Sequence, residues 1–346
     1  MTPHSSVFCS IVPPHILERL ARSANPAFAE AARRTLVADA GQRTARRLAP
    51  PLAPAAATGV RRTIYDARNG TDLPGVKIQD EGGQPTADAT GNRAYAGLGA
   101  TYDLYEKVYG RASIDGNGMP LIASIHYDEK YDNAFWNGEQ MVFGDGDGQL
   151  FVDFTVSVDV IGHELTHGVT QSTANLAYYG QSGALNESVS DVFGSLVKQY
   201  ALGQTADQAD WLIGEGLLGP AIDRGVALRS MKAPGTAYDD DELGKDPQPA
   251  TMDDYVRTHS DNGGVHINSG IPNHAFYLVA TALGGNAWER AGQIWYDVLT
   301  GGTLDEEAKF ADFAAATVAA AKARYNEGEE VKAVRDAWSA VGVPTS

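Results

Sequence analysis

VIGHELTHGV, residues 160–169, sets two histidines four positions apart, with a glutamate beside the first, inside an apolar stretch. A polar group withdrawn from water is costly unless it is paired or bound to something. The pattern predicts a helix, on which positions i and i+4 share one face. His163 and His167 then offer two imidazole nitrogens to one metal ion. Zinc takes such ligands, and a catalytic zinc site has three protein ligands and one open position. Glu164 lies one step round the helix, where it reaches a water at the metal instead of the metal itself. The plainer alternative is a helix with two partly exposed histidines and a surface glutamate. Val160, Ile161 and Leu165 on its flanks weaken that alternative.

A third ligand has to come from another element. GALNESVSDVFGSLV, 183–197, follows, and Val189, Val192, Phe193, Leu196 and Val197 fit the buried face of a second helix. Glu187 and Asp191 are again i and i+4. One carboxylate can bind the metal while the other accepts the free ring N–H of a liganding histidine, a partner that such histidines usually require.

The chain has 346 residues, 43% hydrophobic and 21% charged, an ordinary globular composition with room for two lobes. Its net charge of −17 disfavours a nucleic-acid partner. The single cysteine, Cys9, excludes an intramolecular disulfide. No basic segment followed by an unbroken apolar run opens the chain, so neither a signal peptide nor a membrane span is expected.

The first fifty residues stand apart. Seven arginines against Glu18, Glu30 and Asp39 make them +4, which leaves −21 for the rest of the −17 total. Residues 26–47 read as helix, and 48–59 as an extended linker rich in proline and alanine. A segment that docks electrostatically and can be cut off, and a flexible N-terminal arm, both fit this pattern. Strands with turns are predicted at 121–128 and 140–148, and a helix at 97–110. Beyond about 155 the predicted elements are helices, at 156–171, 185–202, 266–283, 285–300, 306–325 and 329–341. A β-rich half followed by an α-rich half predicts a two-lobed α+β fold, with the 160–169 helix at the junction.

GHELTHGVT (162–170) followed by SGALNESVSDVFG (182–194) resembles the thermolysin family of zinc endopeptidases. NAFWNGEQMVFGDGDG (133–148), LRSM (228–231) and DNGGVHINSGIPNHAFY (261–277) match in order, from about residue 60 to the end. The resemblance implies that His163, His167 and Glu187 bind zinc, that Glu164 activates water and that Asp191 orients His163. It implies that His266, held by Asp261, and Tyr178 stabilise the oxyanion. Asn133, Ala134 and Trp136 would line the substrate backbone, and Arg229 would bind a carbonyl beyond the scissile bond. Phe151, Phe154, Val160 and Leu228 would wall an apolar pocket for the residue after that bond, with Phe154 making it tighter than a leucine would. Cleavage of internal bonds before hydrophobic residues follows. His126, His259 and His274 are left structural.

The sequence departs from the family in two places. Asp159, Asp210 and Glu215 fall where the family has calcium ligands, but Lys198 stands where it often has a bridging glutamate, and Leu212 and Val226 have lost carboxylates. One calcium at most is expected, and solvated surface acids are the alternative. The N-terminal part is also short. IVPPHILERLAR, 11–22, resembles the short propeptide of the protealysin subgroup. This implies an inhibitory propeptide and linker over 1–55, removed by self-cleavage in the linker, a β-rich lobe over 56–172 and a helical lobe over 173–346. Cys9 has two fates open to it, capping the zinc or filling a small buried space under Pro13-Pro14, and the second is the expectation. The family resemblance implies secretion; a cytoplasmic monomer is the alternative compartment for a protein expected to be monomeric either way. A metal-stabilised binding module and an exopeptidase are the competing functions. Glu164 and His266, which are not needed to hold zinc, argue against the first, and the lack of an obvious clamp for a free amino terminus argues against the second.

Overall fold

The computed structural model of the chain describes residues 9–48 and 59–345. The first half is built on a six-stranded mixed sheet. Its strands are β1 (Cys9–Ser10), β2 (Arg62–Asp66), β3 (Val76–Asp80), β4 (Leu121–Ile125), β5 (Ala134–Trp136) and β6 (Met141–Phe143), in the order β1-β5-β6-β4-β2-β3. β4 runs parallel to β2 and β6, and the remaining pairs are antiparallel. β4 is shorter than the span predicted at 121–128 because His126 and Asp128 take positive φ values, 54° and 52°, which turn the chain out of the ladder.

Before the sheet's body come α1 (Pro14–Leu20) and α2 (Pro26–Leu48). The linker predicted at 48–59 and the cleavage point assigned to it lie, except at the very ends of the linker, outside the described residues. α3 (Ala89–Tyr109) starts well before the helix predicted at 97–110. The Asp88 carboxylate caps it by accepting from the backbone N–H groups of Thr90 and Gly91, a stabilisation that apolar spacing does not register.

Two helices carry the centre of the molecule: α4 (Val158–Gln171) and α5 (Gly180–Leu202). α4 is buried from Asp159 to Thr170, as a helix enclosed on all sides must be. Their close crossing depends on glycine. A Cβ on Gly194 would stand 2.5 Å from the Asp159 carbonyl oxygen and 3.0 Å from the His163 nitrogen, and one on Gly162 would stand 3.1 Å from Gly194 Cα. Beyond α5, residues 203–260 contain no α-helix; two ribbons, 212–213 with 229–230 and 239–240 with 244–245, organise them.

The helical lobe is completed by α6 (Asp261–Asn268), α7 (Gly270–Leu283), α8 (Ala291–Thr300), α9 (Phe310–Tyr325) and α10 (Glu329–Ala340). The predicted 266–283 helix is therefore two elements, and α8 begins six positions later than predicted. Trp295 stacks on Trp338 with ring centroids 6.1 Å apart, and Phe276 meets Trp295 edge-on at 5.0 Å. The architecture is the two-lobed α+β arrangement, with α4 between the sheet and the helices.

Two tests follow from this packing. Gly194→Ala forces backbone apart at the α4–α5 crossing, and is expected to cost about 1–3 kcal/mol, read as a lower unfolding midpoint; an unchanged midpoint would show that the helices have room to spare. The second concerns His126, which bridges Asp145 (Nδ1 to Oδ1, 2.7 Å) and Asp88 (Nε2 to Oδ2, 2.9 Å) and so ties the α3 cap to the 144–148 turn. Hydrogen bonding to Asp145 outweighs burial and, with Asp88, pushes its pKa up to about 9. An unfolded histidine titrates near ~6.5. The added stability is therefore complete below that value and fades as pH climbs through the folded pKa. Thermal unfolding of wild type and His126→Gln should differ most at mildly acidic pH and converge in alkali.

Candidate active site

α4 delivers His163 and His167 to one side, both buried, with their Nε2 atoms 3.1 Å apart. α5 brings the Glu187 carboxylate against them. Oε2 lies 3.6 Å from His163 Nε2, and Oε1 lies 3.6 Å from His167 Nε2. The outer side of each ring faces an acceptor. Asp191 Oδ1 is 2.8 Å from His163 Nδ1, and Asn186 Oδ1 is 2.8 Å from His167 Nδ1. The Asn186 amide nitrogen donates to the Leu176 carbonyl at 3.0 Å, which turns its oxygen toward the ring. Both Nδ1 atoms thus carry the ring hydrogen, and both Nε2 lone pairs point inward.

Two lone pairs facing each other beside a carboxylate call for a cation. Glu187 Oε2 and Glu164 Oε1 are both buried without a hydrogen-bond partner. Burial lowers His167 to about 4, which keeps it a neutral donor. Burial alone would raise Glu187, but the charge of His266, the largest opposing influence, helps bring it down to about 2. Glu164 is the opposite case. Burial and then the charge of Glu187 hold its pKa well above the usual carboxylate range, although its Oε2 accepts from the Trp136 N–H at 3.0 Å. A His-His-Glu set with a partnerless oxygen fits a zinc ion.

Asp191 does not reach this cluster with a free oxygen. Oδ1 accepts from His163 Nδ1 and from Arg229 Nη2 (2.8 Å), and Oδ2 accepts from Arg229 Nε (2.9 Å) and Asn273 Nδ2 (2.8 Å). Burial opposes its charge, yet Arg229 and His163 hold its pKa well below the ordinary value. Two donors approach from the other side. His266 Nε2 lies 3.5 Å from Glu187 Oε2, and the Tyr178 hydroxyl donates to Glu187 Oε1. Asp261 binds His266 twice, at Nδ1 (2.6 Å) and at the backbone N–H (2.9 Å). Burial would lower His266, but Glu187 and Asp261 raise it to about 9. This pairing needs the left-handed run Asp261, Asn262, Gly263 and Gly264, with φ from 48° to 84°. Asparagine and glycine accept such angles readily.

The sequence matches the family model for the catalytic domain of thermolysin metallopeptidases over residues 55–171, and the model for their alpha-helical domain over 174–343. This chain belongs to the thermolysin family of metallopeptidases. It is 50% identical to an extracellular metalloprotease of Pectobacterium carotovorum subsp. carotovorum, over 98% of this chain and 97% of the other. It is 43% identical to a thermolysin of Alicyclobacillus acidocaldarius over 81% of this chain and 50% of that one. Among solved structures, the precursor of protealysin, a metalloproteinase from Serratia proteamaculans, superposes with a TM-score of 0.90 at 52% identity, over 97% of this chain and 99% of that chain. The protein is thus a metallopeptidase.

In this thermolysin-family member the chain's own N-terminal segment lies along the cleft. β1 extends the sheet by pairing antiparallel with β5, Cys9 opposite Trp136 and Ser10 opposite Phe135. Ile11 N–H donates to the Ala134 carbonyl (3.1 Å), Val12 N–H donates to Asn133 Oδ1 (2.9 Å), and Arg229 Nη1 donates to the Ile11 carbonyl (3.2 Å). Phe151, Phe154, Val160, Leu228 and Ile11 are all buried in the main hydrophobic core of the molecule, with the two phenylalanine rings 5.8 Å apart.

Cys9 is buried, and its Sγ joins a set of groups that could hold a metal ion, with ligand atoms of Cys9, His163, His167 and Glu187 all within 4.8 Å of one another. Among the acids expected to hold at most one calcium, Lys198 Nζ sits 2.6 Å from Asp210 Oδ2 and 2.9 Å from Glu215 Oε2. Asp159 Oδ2 accepts the Gly214 N–H at 3.0 Å instead. Asn186, Asn273 and Ser190, whose Oγ lies 3.1 Å from His167 Nδ1, were missed by sequence reasoning. Their only signal is polarity within apolar helices, which does not say what they face. Among the described residues, no helix is long and apolar enough to cross a membrane.

Asp191→Asn keeps the shape but removes the charge shared by His163 and Arg229. Metal affinity, measured by chelator competition, is expected to fall roughly 10- to 100-fold. The unfolding midpoint should fall with it, since Arg229 stays buried beside an uncharged partner. Unchanged affinity would deny Asp191 its orienting role.

Proposed function

We propose that this metallopeptidase is a zinc-dependent endopeptidase that cleaves internal bonds before hydrophobic residues and is made as a precursor blocked by its own N-terminal segment. The observation that carries the reading is the pair of Nε2 atoms 3.1 Å apart beside a Glu187 oxygen that has no hydrogen-bond partner. His163, His167 and Glu187 would hold the ion. Zinc bound there supplies Lewis-acid chemistry at neutral pH.

The remaining roles belong to the chain. Glu164, anchored at Oε2 by the Trp136 N–H, has Oε1 free to take a proton from the attacking water. Its raised pKa suits a group that must then pass that proton to the leaving amine. His266, protonated and braced by Asp261, donates from Nε2 to the substrate carbonyl oxygen as it gains charge. Tyr178 donates from the other side. One such donor is typically worth about 3–4 kcal/mol in the transition state.

The N-terminal segment supports the substrate preference. Ile11 takes Ala134 and Arg229 as its backbone partners, and Val12 takes Asn133, as a bound peptide would. An extended peptide added to an edge strand draws its affinity from main-chain hydrogen bonds and its specificity from side-chain pockets. The apolar walls then favour a hydrophobic residue at the Ile11 position. Removal of the segment by cutting the linker opens the cleft. Lys198 takes the place of a calcium ion beside Asp210 and Glu215. Secretion is the compartment we assign, in keeping with the relatives' names.

Glu164→Gln tests the reading. Zinc content should stay at one per chain while hydrolysis of an internal peptide bond drops about a hundred- to ten-thousand-fold. Full-length protein should also accumulate. Turnover at the wild-type rate, or products trimmed only from peptide ends, would reject it.

A further inference from the structure

We propose that Cys9 is a fourth ligand to the metal in the uncut chain, a thiolate that closes the coordination sphere until the N-terminal segment leaves. The proposal rests on the zinc site argued above and goes beyond blockage of the cleft by backbone alone.

Several independent observations converge on Cys9 Sγ. It lies 2.9 Å from Glu187 Oε1 and belongs to the same cluster as both imidazoles. Cys9 is 3% exposed, so solvent does not explain its direction. The partnerless Glu187 Oε2, which is also buried, points independently to an ion at this spot. The two donors assigned to the oxyanion also face the sulfur. The Tyr178 hydroxyl is 2.9 Å from Sγ, and His266 Nε2 is 3.6 Å from it. A site built to receive negative charge on oxygen is here turned on a sulfur, and a thiolate carries that charge.

The backbone explains how the sulfur gets there. The β1–β5 ladder fixes Cys9 opposite Trp136, whose own N–H holds Glu164. Asn133 and Arg229 clamp the next residues, so Cys9 has no freedom to slide. Chemistry completes the case. Zinc binds cysteine sulfur together with histidine, and sites with four protein ligands are structural, whereas catalytic ones keep one position open. With Cys9 the set is complete; without it the open position returns. As the Sγ–metal bond forms, the S–H bond breaks and its proton passes to solvent. Nothing is oxidised or reduced.

The test uses the full-length chain carrying Glu164→Gln, so that it stays uncut, loaded with cobalt(II) in place of zinc. A sulfur-to-cobalt charge-transfer band in the near ultraviolet is expected, beside the visible bands of a tetrahedral ion. Adding Cys9→Ser should abolish the ultraviolet band and keep the visible ones. Zinc should also slow alkylation of Cys9 in the chain that retains it, and chelation should restore the rate. The alkylation readout needs no second variant to fold. Cobalt bound without a thiolate band, or alkylation indifferent to zinc, overturns the role of Cys9 and leaves the zinc site standing. Failure of either chain to bind cobalt or zinc at all overturns both.

Discussion

The close crossing of α4 and α5 at Gly162 and Gly194 is the constraint on which the rest depends. Helix axes come this near only where no side chain intervenes. At any larger separation Glu187 would not reach both imidazoles at 3.6 Å, nor would Asp191 reach the far side of His163 at 2.8 Å. Interiors packed like crystals transmit such spacing to every group beyond it. Backbone contact at two glycines therefore sets the dimensions of a polar cluster several residues away.

That cluster is tolerable in the interior because most of its charged groups are paired. Asp191 spends both oxygens on His163, Arg229 and Asn273, and so links α4, the 229–230 strand and α7 to α5. Removing one partner of such a buried pair leaves an uncompensated charge, which is far costlier than losing an exposed contact. Two buried carboxylate oxygens here, Glu187 Oε2 and Glu164 Oε1, have no hydrogen-bond partner, and buried carboxylates left so are costly unless a cation answers them.

The N-terminal segment docks by means other than those its charge suggests. Arg34 reaches Asp128 at 2.6 Å, but its side chain is 41% exposed, and pairs of that kind are worth about 0–1 kcal/mol. Ile11, Val12, Ile16, Leu17 and Leu20 are each buried to within 1% of completely. Each contributes about 1.5–3 kcal/mol by burial, so the apolar side of the contact dominates. On α2, Asp39 adds a buried polar lock, accepting from the Tyr131 hydroxyl and from Asn133 Nδ2. The +4 charge then assists approach more than it secures the docked state.

The local periodicity of the chain was enough to place His163 and His167 on one helical face and Glu187 and Asp191 on another, because i and i+4 neighbours are set by the helix itself. The lobed α+β plan was legible for the same reason, as the hydrophobic pattern changes along the chain. The residues alone did not say which acid faces the metal: Asp191 is used up by Arg229, which lies 38 positions away in sequence. The parallel pairing of β4 and the cap on α3 were equally hidden. Cys9 is the extreme case. It meets Glu187 across 178 positions, with no period to announce it. Spacing along a helix is a local property that any reader of the residues can compute. Which distant groups share one buried cavity is decided only when the chain closes on itself and each charge must find a partner.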